Sequence, residues 1–272
     1  MIKFFKTILC IFLIACTTTI FAAPAKQYWN KWVSFDPFST LQITYPVWKN
    51  FLSNYTTIKD SQVYIKYAAV SKQDKNALGN EIKKLSILDI AKYNRNEQFA
   101  YWINLYNMET VYLILQNYPI SSITKIKAGY FSFGPWDKKL LKVDGTELSL
   151  NDIEHRIIRP IWNDPRIHAA VNCASISCPN LLTVPFQANT INSQLNTAFS
   201  NFVNSSKGVK VNGSTLELSK IFEWYSIDFG DSSLDMKNFI SYYIKPKALK
   251  QKILNTNTIA YQNYNWNLNG IK

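Results

Sequence analysis

The chain has 272 residues, of which 47% are hydrophobic and 15% are aromatic. This length allows one large domain or two small ones, and this composition supports a packed hydrophobic core. The formal net charge is +12, but the lysines are scattered and form no dense run, which argues against a nucleic-acid partner and for a basic, solvated surface.

The start of the chain has the pattern of a secretory signal. Lys3 and Lys6 precede an apolar run over residues 8–15, and small residues follow up to Ala22. The apolar run is shorter than the roughly 20 residues that a bilayer-spanning helix needs. Two processing sites compete: cleavage after Ala22 would release a soluble protein, whereas a lipobox ending at Cys16 would give a lipoprotein. We favour cleavage after Ala22 and predict an exported protein, periplasmic or secreted, that is anchored to the membrane only if Cys16 is lipidated.

The segment after the signal, residues 23–59, predicts an N-terminal arm followed by a helix. Residues 24–45 are aromatic-rich and irregular, which is typical of an arm that lies against a core, and residues 46–55 predict a short helix. The main domain is predicted over residues 60–268. Its first elements are a strand-like or extended connector, residues 61–70, and two helices, residues 72–85 and 87–93.

The clearest predicted element is a helix over residues 94–119. Asn94 with Glu97 three residues later fits an N-cap and capping box, and Pro119 marks the far end. Apolar residues recur at helical spacing between them, so we expect a core helix. The polar exceptions within it are Asn104, Asn107 and Glu109.

The second half of the chain predicts short hairpins alternating with helices. Asp144-Gly145 and Asn212-Gly213 each separate two short strand-like runs, as tight hairpin turns do. Residues 190–204 form an amphipathic helical pattern. Two further helices are predicted to begin at the capping pairs Ser149 with Asp152 and Ser232 with Asp235. We therefore expect an α+β fold, a predominantly helical single domain with short β-hairpins.

Four segments together resemble one protein family: FAYWINLYNMETVYLI, LSLNDIEHRIIR, DPRIHAAVNCASISCP and YNWNLN. In this order, over residues 60–268, they resemble the bacterial branch of the domain of unknown function 547 family. The resemblance implies an exported single-domain bacterial protein and no known activity. It also implies that a thiol at Cys178 is not a universal requirement of the fold, because plant relatives often carry serine in the SCP stretch.

The third of these segments, residues 164–179, brings together His168, Cys173 and Cys178. A nucleophilic thiol needs a lowered pKa, which a histidine, a helix N-terminus or a cation can supply. Neither a strand nor a helix from His168 to Cys173 would point the two side chains at each other. A catalytic pair would therefore use His155, across space. Cys178-Pro179 could also begin a helix, as the nucleophile does in papain-like enzymes.

A disulfide between Cys173 and Cys178 is the competing interpretation. A turn can close this spacing to the Cα separation of about 4.4–6.8 Å that a disulfide needs, whereas a continuous helix could not. In an oxidising compartment we favour the disulfide over the nucleophile.

The remaining candidates are polar residues near these motifs. Asn104, Asp164 or Glu109 could orient a catalytic imidazole. Asp164 is also predicted to cap a helical turn that Pro165 begins, with Arg166 pairing with a carboxylate. The candidate binding residues are Glu109, Glu154, Asp164, Arg166 and Asn172.

Three hypotheses of function remain open. The first is a hydrolase or acyl-transfer enzyme with Cys173 or Cys178 as nucleophile and His155 or His168 as base. The second is a non-catalytic, disulfide-stapled envelope domain that binds a peptide, a glycan or a protein. The third is a metal-dependent hydrolase, although the spacing of the histidines and acids matches no recognised metal motif. We predict neither a metal site nor a cofactor. The predicted partner is an unknown small molecule, peptide or envelope component. The protein as a whole is predicted to be an exported cell-envelope domain of unknown activity.

Overall fold

The computed structural model describes residues 24–130 and 132–271. The predicted signal, with both of its processing sites, lies outside the described residues. Within them, no helix combines the length and the apolar character that crossing a membrane requires.

The first part of the fold is an arm followed by a helical pair. The arm packs Trp32, Ile43 and Tyr45 into the core, each at most 6% exposed. The elements that follow are helix α1 (Pro46–Tyr55), an antiparallel hairpin of β1 (Thr56–Lys59) and β2 (Gln62–Ile65), and helix α2 (Lys72–Ser86).

The predicted helix over residues 87–93 is wrong. The structure has only a 3-10 turn, Ile90–Lys92. Ile87 is 81% exposed whereas Ile90 is 4% exposed, so the apolar residues of this segment do not share one buried face that would stabilise a full helix.

Helix α3 (Arg95–Asn117) lies at the centre of the molecule. The predicted N-cap is confirmed, since the Asn94 side chain accepts the backbone N–H groups of Asn96 and Glu97. The Glu97 carboxylate does not return to the cap; it accepts the N–H of Ile43, at 3.2 Å. Glu97 thereby ties the arm to the central helix instead of completing a capping box.

Both predicted hairpin turns are confirmed. Strands β3 (Leu141–Val143) and β4 (Thr146–Leu148) are joined at Asp144 and Gly145, with φ angles of +41° and +73°, as a type I′ turn requires. The second hairpin joins β5 (Val209–Asn212) to β6 (Thr215–Leu218), and β7 (Thr258–Tyr261) adds to β6 in parallel.

The helices of the second half begin near the predicted caps. Ser149 and Asp152 exchange hydrogen bonds ahead of a helix that runs with π geometry over Asp152–Ile158, and Ser232 accepts the N–H of Asp235. The helices are α4 (Arg159–Trp162), which continues the π segment, α5 (Ile191–Val203), α6 (Lys220–Trp224), α7 (Ser233–Tyr243) and α8 (Lys247–Asn255).

The buried side chains form two hydrophobic clusters that meet at the predicted site. One surrounds α3, and the other packs α5 against β6, α6 and α7. The 3-10 turn Pro165–Ala169 lies at the junction, because Ala169 belongs to the second cluster and Ala170 to the first. The predicted class is confirmed: an α+β, mostly helical single domain with small sheets.

Candidate functional site

The loop of residues 172–178, here called the cysteine loop, is fastened to the central helix. Asn107 accepts the N–H of Asn172 at 2.8 Å and donates to the carbonyl of Ala170 at 2.9 Å. The side chain of Asn172 in turn accepts the N–H of Ala174 and donates to the carbonyl of Pro179. Both asparagines are at most 3% exposed, so the loop is held by buried amides whose partners are satisfied.

The C-terminal segment clamps the same loop from the other side. The N–H groups of Ile176 and Ser177 donate to the carbonyls of Asn267 and Asn265, at 2.9 and 3.2 Å. Ala174 has a φ angle of +55°, a left-handed conformation that costs an alanine roughly 1–2 kcal/mol. The surrounding hydrogen bonds hold this strained residue directly after Cys173.

The sulfur of Cys173 lies against two hydroxyls. Tyr264 Oη is 3.1 Å from it and Ser175 Oγ is 3.3 Å from it, and the Ser175 hydroxyl donates to the Tyr264 oxygen at 3.1 Å. Burial raises the pKa of the Cys173 thiol, but the polar contacts of its sulfur with Cys178, Ser175 and Tyr264 outweigh burial and lower the pKa to about 7. Cys173 is half-buried. A substantial share of it is therefore thiolate at neutral pH.

Cys178 has the opposite character. It is 3% exposed, and its pKa is raised, first by burial and then by the neighbouring Cys173. Its sulfur accepts the backbone N–H of Cys173 at 3.0 Å. Of the two predicted nucleophiles, only Cys173 has an environment that favours a thiolate.

Two other predictions for this segment are not met. Both cysteines are free thiols, so the predicted disulfide is absent; the Cys178 sulfur is instead engaged by the backbone of Cys173. The suggested helix at Cys178-Pro179 is also wrong. Residues 178–187 are loop, because the Pro179 carbonyl bonds to the Asn172 side chain rather than starting a helical turn.

The two histidines lie in a buried cluster of charged side chains. His168 Nε2 is 2.7 Å from Asp228 Oδ2, and Arg159 grips the same carboxylate with two nitrogens, at 2.7 and 3.2 Å. Arg159 also donates to Nδ1 of His155, one helical turn away, at 3.0 Å. Glu154 Oε1 lies 3.6 Å from Nδ1 of His168. Four of these five side chains come from residues 154–168, and Asp228 alone comes from the distant 3-10 turn Ser226–Asp228.

This cluster sets the protonation of His155. An arginine can only donate, so Nδ1 of His155 accepts and carries no proton. Burial lowers the pKa of His155, the Glu154 carboxylate raises it, and Arg159 lowers it, with a net lowering. His155 is therefore neutral, with the nitrogen nearest Arg159 already occupied.

The N-terminal arm covers the cluster. Arg159 donates to the carbonyl of Pro24 at 2.6 Å, the Lys26 ammonium lies 2.9 Å from Asp228 Oδ1, and the N–H of Gln27 donates to the carbonyl of His155. The side chains of Arg159 and His168 are at most 2% exposed. Solvent therefore has little access to the imidazoles.

Among the described hydrogen bonds, neither histidine reaches a cysteine sulfur. The partners of Cys173 Sγ are hydroxyls, and those of the imidazoles are Arg159 and Asp228. The catalytic roles predicted for Cys173, Cys178, His155 and His168 stay predictions. The structure brings the histidines to one cluster and the cysteines to one loop, without a direct bond between them.

The predicted orienting and binding residues lie at several places. Asn104 binds the backbone of Phe186 through both ends of its amide, so it fastens a different loop. Glu109 is 4% exposed, and burial raises its pKa to about 8. Asp164 caps the turn that Pro165 begins and pairs with Arg166, which is the structural arrangement that the sequence predicted. Glu154 and Asn172 belong to the cluster and the loop described above.

No metal centre is formed by these residues. Over residues 24–130 and 132–271, no group of three or more His, Cys, Asp or Glu side chains is placed to hold an ion. The donor set thus lends no support to the metal-dependent hydrolase.

Sequence reasoning missed four residues that shape the site. Tyr264 and Ser175 contact Cys173, Asp228 binds His168, and Lys207 donates to the carbonyl of Cys178. Tyr264 lies in a segment that resembled the family, so the motif could have drawn attention to it. Asp228 and Lys207 stand in no motif, and only the folding of the chain brings them to the site.

Comparison with known proteins finds a family model that matches one segment of the chain. Residues 90–203 match the model described as "Protein of unknown function, DUF547", which supports the predicted family; the bacterial branch stays a prediction. The match covers α3, the histidine cluster except Asp228, and the cysteine loop. No curated protein and no solved structure matches this chain.

Proposed function

For a chain that carries a DUF547 segment, we propose a thiol-dependent acyl-transfer or hydrolytic activity with Cys173 as the nucleophile. The observation that supports it is the hydrogen bond between the half-buried Cys173 sulfur and the Tyr264 hydroxyl, at 3.1 Å. A thiolate can only accept, so Tyr264 donates to the sulfur while Ser175 donates to the Tyr264 oxygen. The thiolate is thereby stabilised without a histidine in contact with it.

The reaction follows from a preformed thiolate. Cys173 Sγ attacks the carbonyl carbon of an ester or amide, a C–S bond forms, and the bond to the leaving oxygen or nitrogen breaks. The leaving group takes a proton from the solvent and departs as an alcohol or amine. Water, or an amine acceptor, then attacks the thioester carbonyl, the C–S bond breaks, the attacking group releases a proton to the solvent, and the sulfur returns as thiolate. The strained Ala174 and the amides of Asn107 and Asn172 keep the sulfur in place between the two steps.

The experiment is acylation of the purified protein by p-nitrophenyl acetate at neutral pH, followed by peptide mass spectrometry. We expect an acetyl group on Cys173 that neutral hydroxylamine removes, as a thioester requires, together with turnover of the ester. Cys173→Ala should lose both signals, whereas Cys178→Ala should still form the thioester at Cys173 but more slowly at neutral pH, because the Cys178 contact that helps lower the Cys173 pKa is gone. Equal acylation of the wild type and Cys173→Ala, or none at Cys173, would refute the proposal.

A non-catalytic binding domain is the second candidate. It is favoured by the burial of both histidines under the arm and by the lack of a described bond between either imidazole and a sulfur. It predicts that Cys173→Ala retains full capture of a peptide or glycan ligand while the wild type never forms a thioester.

We also propose that the protein is exported. The support is the charged start, the apolar run and the small residues before Ala22. Expression of the full chain in a Gram-negative host, with fractionation and mass analysis of the mature N-terminus, tests this. A start at Ala23 indicates a soluble form, a lipidated Cys16 indicates a lipoprotein, and an intact cytoplasmic chain contradicts export.

A further inference from the structure

A polar cleft of about 380 Å³ lies beside the cysteine loop. Three segments line it: the turn between β1 and β2 at residues 60–62, the cysteine loop at residues 176–177, and the turn after α5 at residues 204–207. Apart from Ile176, these residues bear hydroxyl, amide, carboxylate or ammonium groups. Such a lining offers several hydrogen-bonding groups to a small polar ligand.

Lys207 is the cation of this cleft. Its Nζ donates to the carbonyl of Cys178 at 2.5 Å and to the amide oxygen of Asn180 at 2.8 Å. Both partners are neutral, and none of the ion pairs among the described residues includes Lys207. An ammonium has three N–H donors, so these two bonds leave one donor for a further acceptor.

The environment of Lys207 disfavours its charge. Burial lowers the pKa of Lys207 to about 8, although the thiols of Cys178 and Cys173 act in the opposite direction. Asp60, the carboxylate of the lining, is exposed in the β1–β2 turn and forms no ion pair with Lys207. An anionic ligand within hydrogen-bond reach of Lys207 Nζ would supply the direct ion-pair partner that Asp60 does not provide.

We propose that this cleft binds the carboxylate of a small polar acyl compound, such as the C-terminal carboxylate of a short peptide, with Lys207 Nζ as its ion-pair partner. The amide of Gln62 and the hydroxyl of Ser177, both in the lining, would face the peptide groups of the same ligand. Lys207 holds the Cys178 carbonyl, and Ile176 and Ser177 of the same loop line the cleft, so a ligand anchored there contacts the loop that carries Cys173. This assignment of substrate class rests on the proposed function of Cys173.

Binding is tested apart from turnover, in the full chain with Cys173→Ala. The probes are N-acetyl-alanyl-alanine with a free carboxylate and the same dipeptide as its carboxamide, compared by isothermal titration calorimetry at neutral pH. We expect the acid to bind at least tenfold more tightly than the amide. Lys207→Gln, which keeps a donor but removes the charge, should abolish this preference, and Lys207→Arg should retain part of it. The control Lys210→Met removes an exposed charge from the neighbouring strand and should leave the preference intact.

The outcomes separate this proposal from the previous one. Equal binding of acid and amide, no binding of either, or an acid preference that survives Lys207→Gln in a folded variant would overturn the carboxylate site. Folding of each variant is checked by its thermal transition. A thioester at Cys173 in a protein without acid preference would leave the thiol chemistry standing, whereas an acid preference without a thioester would leave a ligand site that serves no such chemistry.

Discussion

The sulfur of Cys173 lies 3.1 Å from the hydroxyl of Tyr264, a residue 91 positions later in the chain. This contact crosses from the cysteine loop to the C-terminal segment, which clamps the loop through the carbonyls of Asn265 and Asn267. The C-terminal segment therefore both supplies the hydroxyl that contacts the Cys173 sulfur and holds the loop that carries this sulfur.

Tyr264→Phe should raise the pKa of Cys173. In the wild type, iodoacetamide alkylation of Cys173 should be half-maximal near pH 7. Removing the hydroxyl deletes a hydrogen bond to a charged acceptor, and one pKa unit corresponds to about 1.4 kcal/mol. We expect the midpoint to move up by about one unit, read from the alkylation rate against pH. The exposed Tyr242→Phe is the control, and an unchanged midpoint in Tyr264→Phe would contradict the role of this contact.

Asn107→Ala should loosen the cysteine loop, whereas Asn104→Ala should not. Both are buried amides of α3, but Asn107 holds the backbone of Asn172 and Ala170 while Asn104 holds Phe186. Each loss leaves buried backbone groups unsatisfied, at about 1–3 kcal/mol. Urea unfolding should show that both variants are destabilised, and alkylation at neutral pH should be altered in Asn107→Ala alone. An equal change in the alkylation rate of both variants would show that the effect comes from general destabilisation and not from the cysteine loop.

Asp228→Asn should destabilise the protein at neutral pH. It should also make the free energy of unfolding depend less on pH in the acid range. Burial raises the pKa of Asp228, but His168 and Arg159 outweigh it and hold the pKa well below its usual range. The carboxylate therefore stabilises the fold above its unfolded pKa, about 3.9, and this contribution is lost as the pH falls through the folded value. We expect the variant to lose about 3 kcal/mol near neutrality, because Arg159 keeps a buried charge without its carboxylate.

Urea unfolding at neutral pH and in acid measures this effect. The exposed Asp231→Asn serves as the control for loss of one negative charge. An Asp228→Asn protein as stable as the wild type would contradict the role assigned to the buried cluster.

Glu109→Gln should stabilise the protein in mild alkali. Burial raises the pKa of Glu109 to about 8, so the folded protein keeps this carboxyl neutral while the unfolded chain ionises above its usual pKa, about 4.3. The resulting loss of folding free energy is absent in acid, grows with pH and levels off above the pKa of Glu109 in the folded protein. Glutamine removes this loss, so we expect a gain of more than about 1 kcal/mol near pH 8.

The gain should vanish near pH 4, and the exposed Glu147→Gln should show none at either pH. The measurement is the free energy of unfolding in urea across this range. A gain that does not depend on pH would point to packing rather than to ionisation.

Local signals in the sequence predicted the elements well. The Asn94 cap, the Asp144-Gly145 turn and the Ser232 cap all lie where the residues indicated, because a cap or a tight turn is satisfied within a few residues. The helix predicted over residues 87–93, which the structure does not form, shows where local signals are insufficient. Its apolar residues suggested a buried face, but burial depends on what the rest of the chain provides.

The same distinction between local and distant interactions applies to the candidate site. The sequence by itself determined the α+β class, the placement of Cys173, Cys178, His155 and His168 in two neighbouring segments, and the structural role of Asp164. The tertiary structure decided which groups these residues meet: Tyr264 at the thiol, Asp228 at the imidazole and Lys207 at the loop. Those partners lie tens of residues away in the chain. A hydrogen bond between distant segments produces no recurring residue pattern that sequence analysis could detect. It forms only because packing of the two hydrophobic clusters brings the segments together.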